Sequence, residues 1–196
     1  TRPYSIFEDS CYCQLFLFGE NVLMTPISKS SIVELWRKPY FQNKWTRRNR
    51  LRKPPMDKDL NKIKKDLKKL LESQPLAVLA TQSSGQPYAS LVAFASSDDL
   101  KSLYFATTRS TRKYANLSGD SRVALLVDNR SNKASDFRWA MAATATGRAG
   151  EVPSHRKRGA VDLYLTRHPH LEEFVRSPTC ALCEIRVETF FVVTRF

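Results

Sequence analysis

The sequence has no apolar run long enough to cross a membrane, and no cationic segment followed by an apolar one, the pattern of a secretory signal. We therefore expect a cytoplasmic protein without membrane contacts, in which cysteines are ordinarily reduced. The 196 residues, of which 42% are hydrophobic and 26% charged, are enough for one globular domain with a hydrophobic core.

Residues that build metal centres are also few. The four cysteines form two close pairs, and the one-residue gap between Cys11 and Cys13 is poor zinc spacing. Cys180 and Cys183 have a redox or zinc spacing, but they lie where a strand is predicted to begin. We therefore predict no metal site.

The sequence shows neither a Ser-His-Asp arrangement nor a catalytic carboxylate pair, and we assign no catalytic residue. Its three histidines fall in one predicted helical region: His155, His168 and His170. Surface positions near helix ends are the simplest interpretation of these histidines. A haem or metal ligand is the alternative.

What the sequence has in excess is positive charge, with a net value of +13. The charge is spread along the chain: residues 1–55 hold 10 Lys and Arg against 4 Asp and Glu, and the remainder holds 22 against 15. A basic balance suits phosphate-bearing ligands or nucleic acid and does not choose between them.

Residues 1–55 differ from the rest of the chain. Apolar residues 15–18 show neither the period of a strand nor that of a helix, and a basic run at residues 46–53 precedes two prolines. We expect residues 1–55 to be a basic N-terminal extension, poorly ordered or produced by a misplaced start, and residues 56–196 to form the domain. An arm for nucleic acid or anionic lipid is the alternative interpretation of the basic run.

From Asp57 onward the sequence predicts a helix with an apolar stripe and then six strands joined mostly by hairpins. The strands are predicted at residues 76–81, 88–95, 101–106, 122–128, 137–151 and 181–196. A short helix follows the third strand, and a helical region at 153–176 follows the fifth. Strands joined mostly by hairpins, with helices packed outside them, favour a small antiparallel barrel over a parallel sheet.

Two features of the predicted strands lead to further expectations. Small residues around Gly147 would let another backbone or a flat ligand approach the sheet, or would simply allow tight packing. In the last strand, alternation places Ile185 on one face and Glu184, Arg186 and Glu188 on the other.

The most specific local signal lies in residues 104–117. An aromatic strand end leads through Thr107 to Ser110, which is predicted to cap a short helix with Arg112 and Lys113 in its first turn. Cations there oppose the helix dipole, and a bound phosphate would satisfy both the cations and the free N–H groups. A surface turn with two solvated cations is the alternative.

Four segments, in this order, resemble the pyridoxamine 5′-phosphate oxidase-like family, the FMN-binding split β-barrels. They are the hairpin at residues 76–94, the strand and helix start at 103–113, and the strands at 121–127 and 142–151. The likeness covers about residues 57–196. It implies a mainly β fold with flanking helices, a six-stranded antiparallel split β-barrel of the FMN-binding type.

The resemblance further implies a homodimer with FMN at the subunit interface and a small-molecule redox substrate. In such proteins the flavin supplies the redox chemistry. Carried over by position, the residues at the phosphate would be Thr107, Ser110, Thr111, Arg112 and Lys113, and the backbone of Ser90, Leu91 and Val92 would line the isoalloxazine.

The sequence departs from the oxidases proper at two of their positively charged positions. Ser90 and Ala95 stand where those enzymes have arginine and lysine, both of which help to hold FMN. The resemblance therefore implies the cofactor fold rather than vitamin B6 oxidation. A related flavin or a deazaflavin is an alternative ligand.

These observations predict an FMN-binding oxidoreductase of unknown substrate. A haem-binding or haem-degrading protein on the same barrel is the alternative, and it needs an axial ligand such as one of the histidines. A non-catalytic, basic nucleic-acid-binding protein that uses residues 46–53 ranks last, because the barrel offers no motif for reading bases.

Overall fold

The structure, a computed structural model, describes residues 12–18, 21–27 and 57–194. The basic run at residues 46–53, the domain boundary at residue 56 and Cys11 lie outside the described residues, so the interpretations placed on them stay predictions. None of the helices in the described part of the chain is both long and apolar enough to span a bilayer.

The eight described strands pair with one another in antiparallel orientation. They are β1 (Tyr12–Phe18), β2 (Asn21–Ile27), β3 (Leu76–Ser83), β4 (Gln86–Ser96), β5 (Ser102–Thr108), β6 (Arg122–Asp128), β7 (Met141–Glu151) and β8 (Cys180–Thr194). Six of them are hydrogen-bonded in the order β8-β5-β4-β3-β6-β7, and β7 pairs back onto β8. This closes a six-stranded antiparallel barrel, and the predicted fold class is confirmed.

The hairpin of β1 and β2 was not predicted from the periodicity of the sequence. Its two strands pair with each other, and β1 also lies beside the end of β8, where Leu15 faces Val192. A strand that is held by pairing with a strand distant in sequence can lack a clear alternation of apolar and polar residues.

The helices lie outside the barrel. They are α1 (Asp57–Ser73), α2 (Arg112–Gly119), α3 (Asp136–Trp139), α4 (Ser154–Arg167) and α5 (Glu172–Arg176), with a 3₁₀ turn at Pro169–Leu171 between the last two. The predicted stripe of α1 is confirmed, because Leu67, Leu70 and Leu71 are buried in the main core with strand residues such as Phe94 and Phe105. Each buried leucine contributes roughly 2 kcal/mol relative to exposure.

The fifth strand starts later than the sequence predicted, because helix α3 occupies the start of its predicted range. The carboxylate of Asp136 accepts hydrogen bonds from the backbone N–H groups of Ser131 (2.8 Å) and Lys133 (3.1 Å), an arrangement that favours a turn. Phe137 and Trp139 are largely exposed, so no packing holds this segment in a strand.

The face of β8 opposite the core is covered by α4. Glu184 lies on that face as alternation predicted, but it is only 6% exposed. Arg156 of α4 donates to both of its carboxylate oxygens (3.1 and 2.7 Å), and the Ser102 hydroxyl donates to one of them (2.8 Å). A buried charge is tolerated only when it is paired in this way.

Gly147 marks an irregularity in the pairing of β7 with β8. Thr146 faces Thr189, but Gly147 faces Val187, so the register shifts between them. A Cβ atom at position 147 would overlap the carbonyl oxygen of Arg186. The small residue therefore admits another backbone, one of the two close approaches that the sequence suggested.

Gly147→Ala should lower the free energy of unfolding by about 2 to 3 kcal/mol, because the β8 backbone must move to accept the methyl group. Gly150→Ala, in the same strand, is the matched control, since a Cβ there meets no atom within 4 Å. Urea unfolding of the two variants checks this expectation. Equal losses of stability would contradict it.

Glu184→Gln should destabilise the protein in a pH-dependent way. Burial disfavours the Glu184 carboxylate, but the hydrogen bonds from Arg156 and Ser102 outweigh burial and hold its pKa below the usual 4.5. A group whose pKa is lowered by folding stabilises above its unfolded pKa, and that stability is lost as the pH falls through the folded value. We expect a loss of about 1 to 2 kcal/mol at neutral pH, discounted because Arg156 is half exposed, and a shrinking difference below about pH 4.5.

Denaturant unfolding of wild type and variant across this pH range measures the difference. Glu188→Gln is the matched control on the same strand, because its ion pair with Arg148 (3.4 Å) is exposed to solvent on both sides. A difference between wild type and Glu184→Gln that does not change with pH would be inconsistent with the proposed origin of the effect.

Candidate functional site

The barrel is split between β4 and β5. The two strands pair over three residues only, from Phe94 against Phe105 to Ser96 against Leu103. Before Phe94, β4 stays paired with β3, whereas β5 beyond Phe105 stays paired with β8. One edge of β4 therefore has no strand partner among the described residues.

The unpaired edge presents the backbone groups of alternate residues. The Phe94 N–H donates to the carbonyl oxygen of Pro75 on the β3 side (3.4 Å), so even-numbered residues of β4 bond to β3. Odd-numbered residues face the split, where the Ala93 carbonyl accepts a hydrogen bond from the Tyr164 hydroxyl (3.3 Å). Leu91 therefore directs an N–H donor and a C=O acceptor into the split.

The three residues predicted beside the isoalloxazine differ in their surroundings. Leu91 has its side chain 67% exposed on the outer face of the barrel, whereas the Val92 side chain is 6% exposed and belongs to the core. The Ser90 hydroxyl is buried and has no hydrogen-bond partner among the described residues. Buried polar atoms without partners are rare, so this hydroxyl marks a place where a polar ligand atom would be stabilised.

The predicted phosphate residues lie together across the split, at the end of β5 and the start of α2. Thr107 is buried, and its hydroxyl is 2.9 Å from that of Thr111, which donates to the carbonyl oxygen of Thr108 (2.9 Å). The N-cap is Thr111 and not Ser110, so that prediction is wrong by one residue. The reason is the turn closed by the Thr111 N–H on the Thr108 carbonyl (3.2 Å), which places Ser110 inside the turn.

The start of α2 is strongly positive. Its first turn has no acidic residue, and the N-cap side chain makes no hydrogen bond to the helix N–H groups. Arg112 and Lys113 have no ion-pair partner in the described part of the chain, and the Arg112 guanidinium lies 5.0 Å from the centre of the Tyr88 ring on β4. This cation–π contact places Arg112 across the mouth of the split.

Arg109 is held differently from the two cations of α2. It forms an ion pair with Glu151 at the end of β7, and its guanidinium also donates to the carbonyl oxygens of Pro178 (2.8 Å) and Cys180 (3.0 Å). Its donors are thus engaged by the protein, and the uncommitted positive charge at this end of the split belongs to α2.

Sequence reasoning missed three residues that shape this region: Tyr88, Asn116 and Glu151. Asn116 is buried and donates to the hydroxyl of Thr81 (2.9 Å), which fastens α2 to β3. A polar residue on the inner face of a short helix is a signal that could have identified it. The other two depend on contacts between a strand and the distant turn and helix at residues 109–114, which local sequence does not reveal.

Two of the three histidines, His168 and His170, lie close together, with ring centres 6.0 Å apart. His155 and His170 are exposed as expected, but the expectation of a surface position is wrong for His168, which is 2% exposed. Its Nε2 donates to the Phe94 carbonyl oxygen (2.8 Å), and burial lowers its pKa, which favours the neutral ring. No group of three or more His, Cys, Asp or Glu suited to a metal ion occurs among the described residues.

The cysteine pair of β8 is buried in the barrel wall. Cys180 and Cys183 are free thiols, each at most 2% exposed. Burial raises the pKa of both and brings that of Cys183 to about 12. Such thiols are protonated and poorly reactive at neutral pH.

The residues at the split fit the two ends of a flavin mononucleotide. The free N–H groups at the start of α2, the hydroxyls of Thr107 and Thr111 and the charges of Arg112 and Lys113 suit a phosphate. The unpaired backbone at Leu91 suits the polar edge of a flat ring. Whether these residues bind a cofactor stays a prediction.

The family model described as pyridoxamine 5′-phosphate oxidase matches residues 63–193. The chain belongs to this family. The match begins within helix α1 and runs through the barrel into the last residues of β8, which agrees with the resemblance that the sequence motifs suggested. Among curated proteins, the sequence finds no match.

Solved structures with the same fold include three with different descriptions. A FAD-binding protein from Mesorhizobium loti is 20% identical with a TM-score of 0.53, covering 65% of this chain and 91% of its own. The haem storage protein HutZ from Vibrio cholerae is 16% identical with a TM-score of 0.58, covering 65% and 92%. At these identities the likeness concerns the fold alone.

The third is a protein of unknown function from Agrobacterium tumefaciens, 21% identical with a TM-score of 0.55. The match covers 62% of this chain and 52% of that one. The chain thus spans about half the length of this relative.

Proposed function

We propose that the protein is an FMN-binding oxidoreductase that acts on a small-molecule substrate as a homodimer. The observation that carries this proposal is the split itself: an unpaired backbone edge on β4 faces the cationic N-terminus of α2. When bound, the flavin supplies hydride or electron transfer. The residues of the chain bind it and fix its orientation.

Charge and geometry support the proposal that the start of α2 binds the phosphate end of the ligand. Arg112 and Lys113 bring two positive charges that no carboxylate among the described residues neutralises, at a helix end whose N–H groups are free. Tyr88 holds the Arg112 guanidinium in place, which reduces the entropy lost when a phosphate is bound. An anion is the ligand that this arrangement stabilises best.

The exposed face beside the split supports the proposed position of the flavin ring. Leu91 lies opposite Val78 of β3, and Val78 lies opposite Leu126 of β6, so three apolar side chains form a row across the outer face of the barrel. Leu76, next to this row, is 52% exposed. An apolar row of this kind suits the proposed contact with a second subunit, which would cover the flavin ring and exclude water.

Haem is the alternative ligand, and it is favoured by the fold shared with the haem storage protein. The described histidines support it less well, because the Nε2 of His168 is engaged by Phe94 and the other two are exposed on the outside of the barrel. Titration with haemin separates the two ligands: a Soret band that is lost on replacing one histidine would favour haem.

Arg112→Ala combined with Lys113→Ala should weaken FMN binding by about 100-fold, because two charge-assisted contacts of roughly 1.5 kcal/mol each are removed. Quenching of flavin fluorescence measures the dissociation constant. The matched control is Lys64→Ala with Lys65→Ala on the exposed face of α1, which removes the same charge from a helix outside the predicted site. Unchanged FMN affinity in the first variant would refute the assignment of the phosphate site.

Leu126→Glu should convert the proposed dimer to a monomer, because a carboxylate in the middle of the apolar row cannot be buried without a partner. Light scattering during gel filtration measures the mass. Lys101→Glu, on an exposed turn away from the row, is the control for added negative charge. A wild-type protein that is monomeric at all concentrations would argue against the dimer, even if it binds FMN.

A further inference from the structure

Glu151, the last residue of β7, lies outside the predicted cofactor residues but contacts the two residues that flank residues 110–113, which we call the phosphate segment. One carboxylate oxygen accepts from the Arg109 guanidinium, immediately before the segment. The other accepts from the hydroxyl of Tyr114, immediately after it (3.1 Å). A single carboxylate therefore ties together the two residues that flank the segment.

Arg109 is fixed on its other side as well. Its guanidinium donates to the carbonyl oxygens of Pro178 (2.8 Å) and Cys180 (3.0 Å), and its backbone N–H donates to the Thr179 carbonyl oxygen (3.0 Å). The network thus joins the phosphate segment to the start of β8 and the end of β7. Both strands belong to the closed part of the barrel, which gives the segment a rigid base.

Glu151 and Arg109 neutralise each other's charge beside the phosphate segment. A free carboxylate close to the phosphate segment would repel a phosphate, but Glu151 accepts from a guanidinium and a hydroxyl. Arg109 is neutralised in the same contact, so the phosphate meets Arg112 and Lys113 rather than a mobile third cation. The ion pair of Glu151 with Arg109 therefore orders the phosphate segment and adds no further positive charge to the site.

We propose that Glu151 is a positioning residue that holds residues 110–113 in the conformation that binds a phosphate. It thereby sets the preference of the site for a phosphorylated flavin over unphosphorylated riboflavin. This inference rests on the proposed function. It assigns selectivity to a residue that touches neither the phosphate nor the ring.

The test compares the affinities of FMN and riboflavin for the full-length protein by flavin fluorescence. Glu151→Gln keeps the size of the side chain and removes its charge, so we expect FMN to bind about tenfold more weakly and riboflavin to bind as before. Glu188→Gln is the matched control, because Glu188 of β8 forms an exposed ion pair with Arg148 of β7, the strand that carries Glu151. Its ratio of affinities should equal that of wild type.

A general structural role for Glu151 would weaken both flavins equally and leave the ratio of affinities unchanged, which would overturn the inference. Tighter FMN binding by Glu151→Gln would also overturn it, because the carboxylate would then repel the phosphate. If Glu151→Gln does not fold, Tyr114→Phe removes one contact without changing charge and should lower the ratio in the same direction.

The same titrations distinguish this inference from the proposed function. Wild-type protein that binds neither flavin would overturn both. Wild-type protein that prefers FMN, with the same preference in Glu151→Gln and Tyr114→Phe, would leave the flavin site standing and remove only the role of Glu151.

Discussion

The separation of β4 from β5 beyond Phe94 and Phe105 is the constraint on which the rest of the site depends. Each strand keeps its other neighbour, so the barrel stays closed through β3 and β8 while a gap opens between them. Backbone groups that would bond across a continuous sheet are left for another partner. The gap also provides the space in which the N-terminus of α2 lies beside the strand edge.

The helix that borders the gap is placed by polar contacts in addition to the packing of Tyr114 and Leu117 against the main core. Asn116 bonds to Thr81 of β3, Arg112 stacks on Tyr88 of β4, and Tyr114 reaches Glu151 of β7. Three different strands thus fix a helix of eight residues, which alone would be unstable in water. A short helix held from several sides keeps its terminal N–H groups in one place, as an anion site requires.

Much of the barrel could be predicted because its strands alternate between core and surface, and because the α1 stripe has helical spacing. The errors occur where a neighbouring element changes the environment of a residue. Alternation placed Glu184 on the outer face but could not show that α4 covers it, and His168 is buried for the same kind of reason. The N-cap moved from Ser110 to Thr111 because a turn closes on Thr108, a choice between two adjacent hydroxyl residues that propensity does not resolve.

One chain supplies many of the ligand contacts at one end of the proposed site and few of them at the other end. At the phosphate end, strand, turn and helix of the same chain supply hydroxyls, N–H groups and cations, and the core fixes Thr107 behind them. At the ring end the chain offers a backbone edge and the exposed side chain of Leu91. In the proposed dimer we therefore expect cofactor affinity to depend mainly on residues 107–113 of one subunit. We expect access of a substrate to depend on what the second subunit places over the row of Leu91, Val78 and Leu126, which would allow proteins of one fold to keep a cofactor and change the reaction.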